Sequence, residues 1–393
     1  MVIVMRRTLL FLLICILLTV SVSSCAEYKG YQLTAADPYG DTTIYPLDAH
    51  NVIVRVRCHE EEYGPWHVTW YRDGEIYRDI EGTGPKMDHE EGNLCMPKPA
   101  GWNGEELSMS YCTRKKESEY VWGVYGLGPD PENYDTYLAQ WTENGLEQAA
   151  PPPEAWYGSY DNGRITVFSG EDAWRFRYGD EETLLPKAGF DGGVIADCVP
   201  AGEGIILLKI VTTNPGAFAV CLDHGQERYR VELPREETIE GRLFMPDRNG
   251  GFFCVDGFRP GDYEPMYLMH YRADGQPDRK IELSGKKVVV DICASAIDPG
   301  SGLCTLYGTA VANSRKVYTV FAMTLDEDLN MIGLDVRKVD PEYGCYDPLV
   351  YTAPDGTAWV YVNELAGKRG LWPVLIPFSM LKKSKNKPGI TVK

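Results

Sequence analysis

The chain has 393 residues, 44% hydrophobic and 24% charged, with 40 Gly and 26 Pro, a composition that can bury a sizeable core and excludes wholesale disorder. With 39 Lys+Arg against 57 Asp+Glu the formal net charge is −18, which argues against nucleic acid or an anionic membrane face as the main partner, since binding phosphates needs concentrated positive charge. Length alone suggests two or three domains, but closed all-β architectures grow as one unit.

Arg6 and Arg7 precede an unbroken apolar run from Leu9 to Leu18, then small residues and Cys25. That is the order of an export signal. The run is short of the ~20 apolar residues that span a bilayer, so cleavage is expected. Val22-Ser23-Ser24-Cys25 resembles the lipobox of bacterial lipoproteins, with a branched apolar residue, two small ones and the cysteine. The resemblance implies that the Cys25 thiol takes a diacylglyceryl group and becomes the new N-terminus. Two or more acyl chains anchor durably where one does not. Loss of Arg6 and Arg7 with the leader takes 39 basic residues to 37 against 57 acidic ones, a formal −20.

Residues 25–43 read as the lipidated cysteine and a polar tether with Gly30, Pro38 and Gly40. Everything after it is strand-like: runs rich in Val, Ile, Tyr, Phe and Trp alternate with Gly/Pro/Asp turns. Only Tyr137 to Gln148 has the pattern of a helix of any length.

The first unit runs Asn51 to Arg57, His67 to Arg72, a turn at Asp73-Gly74, then Glu75 to Ile80, with Pro46 ahead of it. Residues 85–150 form a long unit and 155–188 a short one. A clearer repeat follows. Pro200-Ala-Gly-Glu-Gly204, Pro246-Asp-Arg-Asn-Gly-Gly251, Pro299-Gly-Ser-Gly302 and Pro354-Asp-Gly356 each open onto an apolar strand, and the prolines stand 46, 53 and 55 residues apart. The period is close to that of a four-stranded propeller blade. Second hairpins, at Asp223-His-Gly-Gln226, Ala273-Asp-Gly-Gln276 and Asp326 to Asn330, precede the outer strand. In Tyr229 to Leu233 and Ile332 to Arg337 that strand alternates, as a half-exposed strand does.

The sequence therefore predicts an all-β chain with one β-propeller over residues 44–381, of seven four-stranded blades, six or eight being the neighbouring counts, and a basic tail over 382–393 that reads as solvated. Tandem β-sandwiches are the alternative, and they leave the regular turn-plus-strand period unexplained. Ala353-Pro-Asp-Gly-Thr-Ala-Trp359 resembles the PDG turn of TolB-type and related bacterial propeller repeats. The resemblance covers one turn and implies a fold, not an activity.

Removing Cys15 and Cys25 leaves nine cysteines, Cys58, Cys95, Cys112, Cys198, Cys221, Cys254, Cys293, Cys304 and Cys345, so at least one is unpaired. Several lie in apolar runs and read as small buried hydrophobes. This is unusual for an exported chain and points to a reducing exterior.

No catalytic motif is present: G-x-S-x-G, the P-loop and G-x-G-x-x-G are all absent. His50, His59, His67 and His89 lie near several acids, but their spacing matches no ligand pattern, and Asp326-x-Asp328-x-Asn330 lacks the glycine of a calcium loop. No catalytic residue, metal site or cofactor is assigned.

Seven of the nine tryptophans fall between Trp66 and Trp174. Trp102, in the turn Gly101-Trp-Asn-Gly104, and Trp156-Tyr157, after Pro151-Pro-Pro153, occupy loop-like sequence. They are the candidate ligand-binding residues, suited to stacking on sugar rings or gripping peptides.

The expected protein is a lipid-anchored extracytoplasmic binding or scaffold module of the bacterial cell envelope. Its partner would be a glycan, a peptide or an envelope protein, not nucleic acid, met at the channel mouth or on loops of the first three blades. The alternative is a carbohydrate-active hydrolase or lyase with loop carboxylates at the same mouth.

Overall fold

The computed structural model of the chain describes residues 31–32, 41–57, 65–83, 97–114, 134–150, 156–212, 216–233, 244–247, 250–255, 266–284, 288–298, 300–312, 318–339, 345–364, 374–384 and 390–392. They form seven antiparallel sheets arranged as the blades of a propeller.

The N-terminal strand β1 (Tyr31–Gln32) stands apart from the first blade. Blade 1 is β2 (Asp41–Pro46), β3 (Asn51–Arg57), β4 (Pro65–Arg72) and β5 (Glu75–Thr83). Blade 2 is β6 (Lys98–Trp102), β7 (Leu107–Arg114), β8 (Tyr134–Thr142) and β9 (Gly145–Ala150). Blade 3 is β10 (Trp156–Tyr160), β11 (Ile165–Ser169), β12 (Ala173–Tyr178) and β13 (Glu181–Pro186). Blade 4 is β14 (Val194–Gly202), β15 (Ile205–Thr212), β16 (Gly216–Asp223) and β17 (Gln226–Leu233). Blade 5 is β18 (Phe244–Pro246), β19 (Phe252–Val255), β20 (Met266–Tyr271) and β21 (Pro277–Ser284). Blade 6 is β22 (Val288–Ile297), β23 (Cys304–Ala312), β24 (Tyr318–Leu325) and β25 (Met331–Lys338). Blade 7 is β26 (Cys345–Thr352), β27 (Ala358–Glu364) and β28 (Val374–Pro377), and β1 pairs with β28 as its fourth strand. Near the C-terminus β29 (Lys382–Lys383) and β30 (Thr391–Val392) add to blades 6 and 5.

The first strands touch from β6 through β10, β14, β18, β22 and β26 to β2, so they ring the central axis. Second strands are the most deeply covered: in β15, Ile206 to Ile210 are all buried. This is the apolar strand that follows each proline in the sequence. A proline ends the first strand at Pro46 and Pro246, where its missing N–H costs no ladder bond. An aspartate then folds the turn. Asp48 Oδ1 accepts from the amides of His50 and Asn51, Asp298 Oδ1 from those of Gly300 and Ser301, and Asp355 Oδ1 from that of Thr357. Asp274 and Asp326 do the same in the outer hairpins, and the amides they accept hold the carboxyls of Asp274, Asp298 and Asp326 below the usual range. The acidic triplet at 326–330 is thus a hairpin turn.

Apolar clusters sit between blades rather than within them. One joins Ile44, Val54 and Tyr71 of blade 1 to Trp359 and Leu375 of blade 7. Another joins Ile53 and Trp70 of blade 1 to Met109 and Trp141 of blade 2. Blades 3 and 4, 4 and 5, 5 and 6, and 6 and 7 are joined in the same way.

Three features depart from the sequence reading. Tyr137 to Gln148 is the hairpin of β8 and β9, not a helix, because Ala139 and Trp141, two apart, are buried on one face of β8, with Leu146 of β9 opposite Trp141. The tether contributes β1, and blade 1 already begins at Asp41. The basic tail is not simply solvated: Lys382 and Lys383 pair with Lys338 and Arg337, Thr391 and Val392 pair with Ser284 and Leu283, and Ile390 is buried in the core of blades 5 and 6.

Ile390→Ala is expected to lose about 2 kcal/mol of stability, the low end for a buried Ile-to-Ala change, read as a lower denaturation midpoint. Truncation after Ser384 should cost at least as much. A wild-type midpoint in both would show that the tail carries no fold energy.

Cys198, Cys221, Cys254, Cys293 and Cys304 are reduced, and all but Cys293 are buried. Burial lifts the Cys221 thiol to about 12 and raises those of Cys198 and Cys304 as well. The thiolate is the reactive form. In the native chain the four buried thiols should therefore react slowly with a thiol reagent, while the denatured chain should titrate at least the five thiols seen here. A single thiol after denaturation would contradict this chemistry.

Candidate functional site

A cavity of about 320 Å³ opens between blades 1 and 2, lined by Tyr77, Arg78 and Asp79 of β5 and by Trp141, Thr142, Glu143 and Gly145 at the β8–β9 turn. Its back wall is aromatic. Trp70 is fully buried, with Tyr77 edge-on at 4.9 Å, Trp102 edge-on at 5.5 Å and Trp141 tilted at 6.0 Å. Two arginines cover these rings: Arg72 lies 3.9 Å from the Tyr77 centroid and 4.9 Å from Trp70, and Arg78 lies 4.7 Å from Tyr77 and 5.2 Å from Trp70. Such contacts hold guanidinium groups in place without using their donors.

The polar groups behind the wall are satisfied by blade 1. Asn51 Oδ1 accepts from Trp70 Nε1 and from Arg72 Nε, both at 3.0 Å. Asp79 Oδ1 accepts from Thr69 Oγ1 at 2.6 Å. The cleft is lined by Arg78, Glu143 and Tyr77, 42% exposed, while the Asp79 carboxyl turns to Thr69 and His67 on the opposite face of the blade. Donors and acceptors side by side, with one accessible ring, suit a neutral polar ligand with vicinal hydroxyls better than a flat apolar one.

The sequence candidates are not brought together. Trp102 ends β6 and Trp156 begins β10; both are first strands of their blades, and their like ends adjoin where Gly163 meets Ala100, so the two tryptophans stand toward opposite ends of the axis. Trp102 is half-buried, and its Nε1 donates to Asp48 Oδ2 at 3.0 Å, which makes it a link between blades 1 and 2. Trp156 and Tyr157 lie in β10, and their side chains fall outside the described residues, as does Cys25. Of the histidines, His50 Nδ1 bonds Asp73 Oδ1 at 2.7 Å across two turns, and His59 and His89 lie outside the described residues. Among the described residues no group of three or more His, Cys, Asp and Glu could hold a metal.

A second polar cluster sits near the axis between blades 3 and 4. Asp161, in a left-handed conformation at φ 49°, follows β10 and is ion-paired with Arg164. Gly163 lets this turn press on blade 2, because a Cβ there would lie 2.2 Å from the Ala100 carbonyl oxygen. Asp197 occupies a bulge in β14, opposite the buried Lys209 of β15, and its Oδ1 accepts from the Cys198 amide. Burial lifts the Asp197 carboxyl to about 6, against the pull of the Cys198 amide and Lys209, and the charge of Asp161 adds to the rise. Burial also raises Asp161, against Arg164. The signal for this cluster in the sequence is Lys209, a lysine inside an otherwise apolar strand. Tyr77, Arg78 and Glu143 carry no such signal, since outer strands and turns are expected to be polar.

No family model matches the chain, and no curated protein matches it. Among solved structures, the chain is similar to the crystal structure of the uncharacterized protein lmo1340 from Listeria monocytogenes EGD-e, at 10% identity and a TM-score of 0.34, over 74% of this chain and 81% of that one.

Because the Asp197 pKa is raised in the fold, its ionisation weakens the folded state as pH rises from about 4 through about 6. The stability difference between wild type and Asp197→Asn should therefore shift against wild type by about 2 kcal/mol over that range, allowing for partial exposure. Denaturation curves across the range read it, and any constant offset from Lys209 cancels. A pH-independent difference would mean that Asp197 titrates as in the unfolded chain.

Proposed function

We propose that the chain is a lipid-anchored extracytoplasmic module, held at its membrane through acylated Cys25, whose propeller binds or scaffolds a polar ligand of the cell envelope in the cleft between blades 1 and 2. The observation that carries the reading is the cleft itself, where the donors of Arg78, held over the Tyr77 and Trp70 rings, and the acceptors of Glu143 flank the exposed edge of Tyr77. Glycan hydroxyls fit this set best; a peptide would use the same groups through its amides. The basic pair, apolar run and Val22-Ser23-Ser24-Cys25 support the anchor, and the PDG turn at 354–356 supports kinship with TolB-type repeats. Among the described residues no helix is long and apolar enough to cross a membrane.

A second reading, a carbohydrate-active hydrolase, draws support from Asp197, whose carboxyl burial lifts to about 6, beside Asp161, also raised by burial, because a carboxyl whose pKa is lifted toward neutrality is what acid catalysis uses.

The test is a glycan, cell-wall-fragment and peptide array probed with the chain starting at Ala26, with product analysis by mass spectrometry on each hit. Binding without turnover, weakened about tenfold by Arg78→Ala and Tyr77→Ala, is expected. Silence on the array, or hits indifferent to both substitutions, would remove the cleft as the site. Turnover abolished by Asp197→Asn would put the hydrolase in its place.

A further inference from the structure

We propose that Arg72 and Arg78 form an oxyanion subsite at the blade 1 edge of the cleft, so that the glycan met there is an acidic one, carrying a carboxylate or a sulfate ester beside the hydroxyls that Glu143 receives. The proposal rests on the cleft reading above and adds the charge of the ligand to it.

The pair is made by a bulge. Trp70 pairs with Arg78 and Tyr71 with Ile76, so Tyr77 is an extra residue in β5. A bulge re-aims the side chains beside it. Here Tyr77 and Arg78 both come to the face that carries Trp70, where Arg72, two residues further along β4, also stands. The two guanidinium carbons each lie within 5.2 Å of the centres of the same two rings, Trp70 and Tyr77. Stacking of this kind uses the flat face of a guanidinium and leaves the N–H groups at its edge to other partners.

Few of those N–H groups are engaged. Arg72 commits Nε to Asn51 Oδ1, and Arg78 donates from Nη2 to the Tyr77 hydroxyl at 3.4 Å. Among the described residues neither arginine makes an ion pair. The rest of the molecule behaves differently: in blades 3 to 6 every described arginine pairs with a carboxylate except Arg279, which donates to the Asp328 carbonyl. On a chain with 57 Asp+Glu against 39 Lys+Arg, two adjoining arginines without a carboxylate run against the composition.

The acids around the pair are engaged elsewhere or stand apart from it. Asp73 bonds His50, Asp79 turns to Thr69, and Glu106 and Glu147 bond Asn103 and Asn144. Glu75, opposite Arg72 in the hairpin, Glu105 and Glu143 make no ion pair among the described residues. The turns at this end of blades 1 and 2, at 47–50, 73–74, 103–106 and 143–144, are all described. Segments outside the described residues join the strands of these blades at the other end, where Arg57 pairs with Trp66 and Arg114 with Tyr134.

A guanidinium edge presents parallel donors that match the two oxygens of a carboxylate or sulfate, and such charge-assisted pairs are about twice as strong as neutral ones. A hydroxyl would take one donor and leave its neighbour unused. With Glu143 across the cleft as an acceptor, the set fits a sugar that offers hydroxyls on one side and an oxyanion on the other.

The experiment is titration calorimetry of the full-length chain with trigalacturonate, with its methyl ester, which keeps the rings and removes the charge, and with a sulfated galactan oligomer. An acidic probe should bind wild type about tenfold or more tighter than the ester, and this preference should fall to about twofold or less in Arg72→Gln and in Arg78→Gln. The wild-type preference is read without any variant. Binding of the sulfated oligomer in place of trigalacturonate, with the same dependence on both arginines, supports the subsite and assigns it to a sulfate ester. Equal affinity for acid and ester, lost in Tyr77→Ala, overturns the proposal and leaves the cleft standing, as does failure of both acidic probes while a neutral glycan binds through Tyr77. A preference for the acid that survives both arginine substitutions also overturns it. Silence toward every glycan removes the cleft and the proposal together.

Discussion

A ring of blades is only as stable as its closing seam. Each apolar cluster here lies between two blades, so no blade completes its own core, and an open seam between blades 7 and 1 would expose Trp359, Leu375, Val52 and Val54 together. The chain closes the seam twice. β1 completes blade 7, and the Asp48 turn of blade 1 reaches both neighbours. Trp359 Nε1 donates to the Asp48 carbonyl oxygen at 3.2 Å, the Ala49 amide donates to Asp355 Oδ2 at 3.1 Å, and Trp102 Nε1 donates to Asp48 Oδ2 at 3.0 Å. Each such bond is worth about 0.5 to 1.5 kcal/mol net. Their larger effect is to fix the register in which the apolar faces meet, where the greater energy lies.

The same economy explains the position of the tail. Outer strands carry unpaired edges that invite association, and chains blunt or cover them. On blade 7 β1 covers the edge, on blade 6 β29 does, and on blade 5 β30 does. Ile390 fixes this strap by burial among Leu283, Val290 and their neighbours, so a sequence that reads as a solvated basic tail is bound at its apolar residues and exposed at its charged ones.

How much of this was legible from residues alone follows from which interactions are local. The turns are legible at Asp298, Asp326 and Asp355, because an aspartate that folds its own turn acts over two to four residues and so lies within a short stretch of turn-forming residues. Second strands such as Ile205 to Thr212 were legible because both their faces are covered and the run is continuously apolar. Blade 2 reads partly as helix, since Tyr137, Leu138 and Trp141 stand at the three- and four-residue spacings of a helix face, while the strand period shows only in Ala139 and Trp141. The site was least legible. Trp102 looked exposed because its neighbours Gly101, Asn103 and Gly104 are turn residues; its burial comes from Asp48, 54 positions away. Tyr77, Arg78 and Glu143 meet only because two blades adjoin, and no local spacing encodes that.

The concentration of tryptophan in the first half has a structural cause that bears on function. Trp70 anchors the interface of blades 1 and 2, and Trp174 packs on Phe190 in that of blades 3 and 4, each covered by a cation from an outer strand or its following turn, Arg78 and Lys187 in turn. Large rings there fill the gap between blades, and the cations over them leave little bare aromatic surface for stacking. In the cleft between blades 1 and 2 it is therefore arginine and carboxylate, not indole, that are offered to the surface.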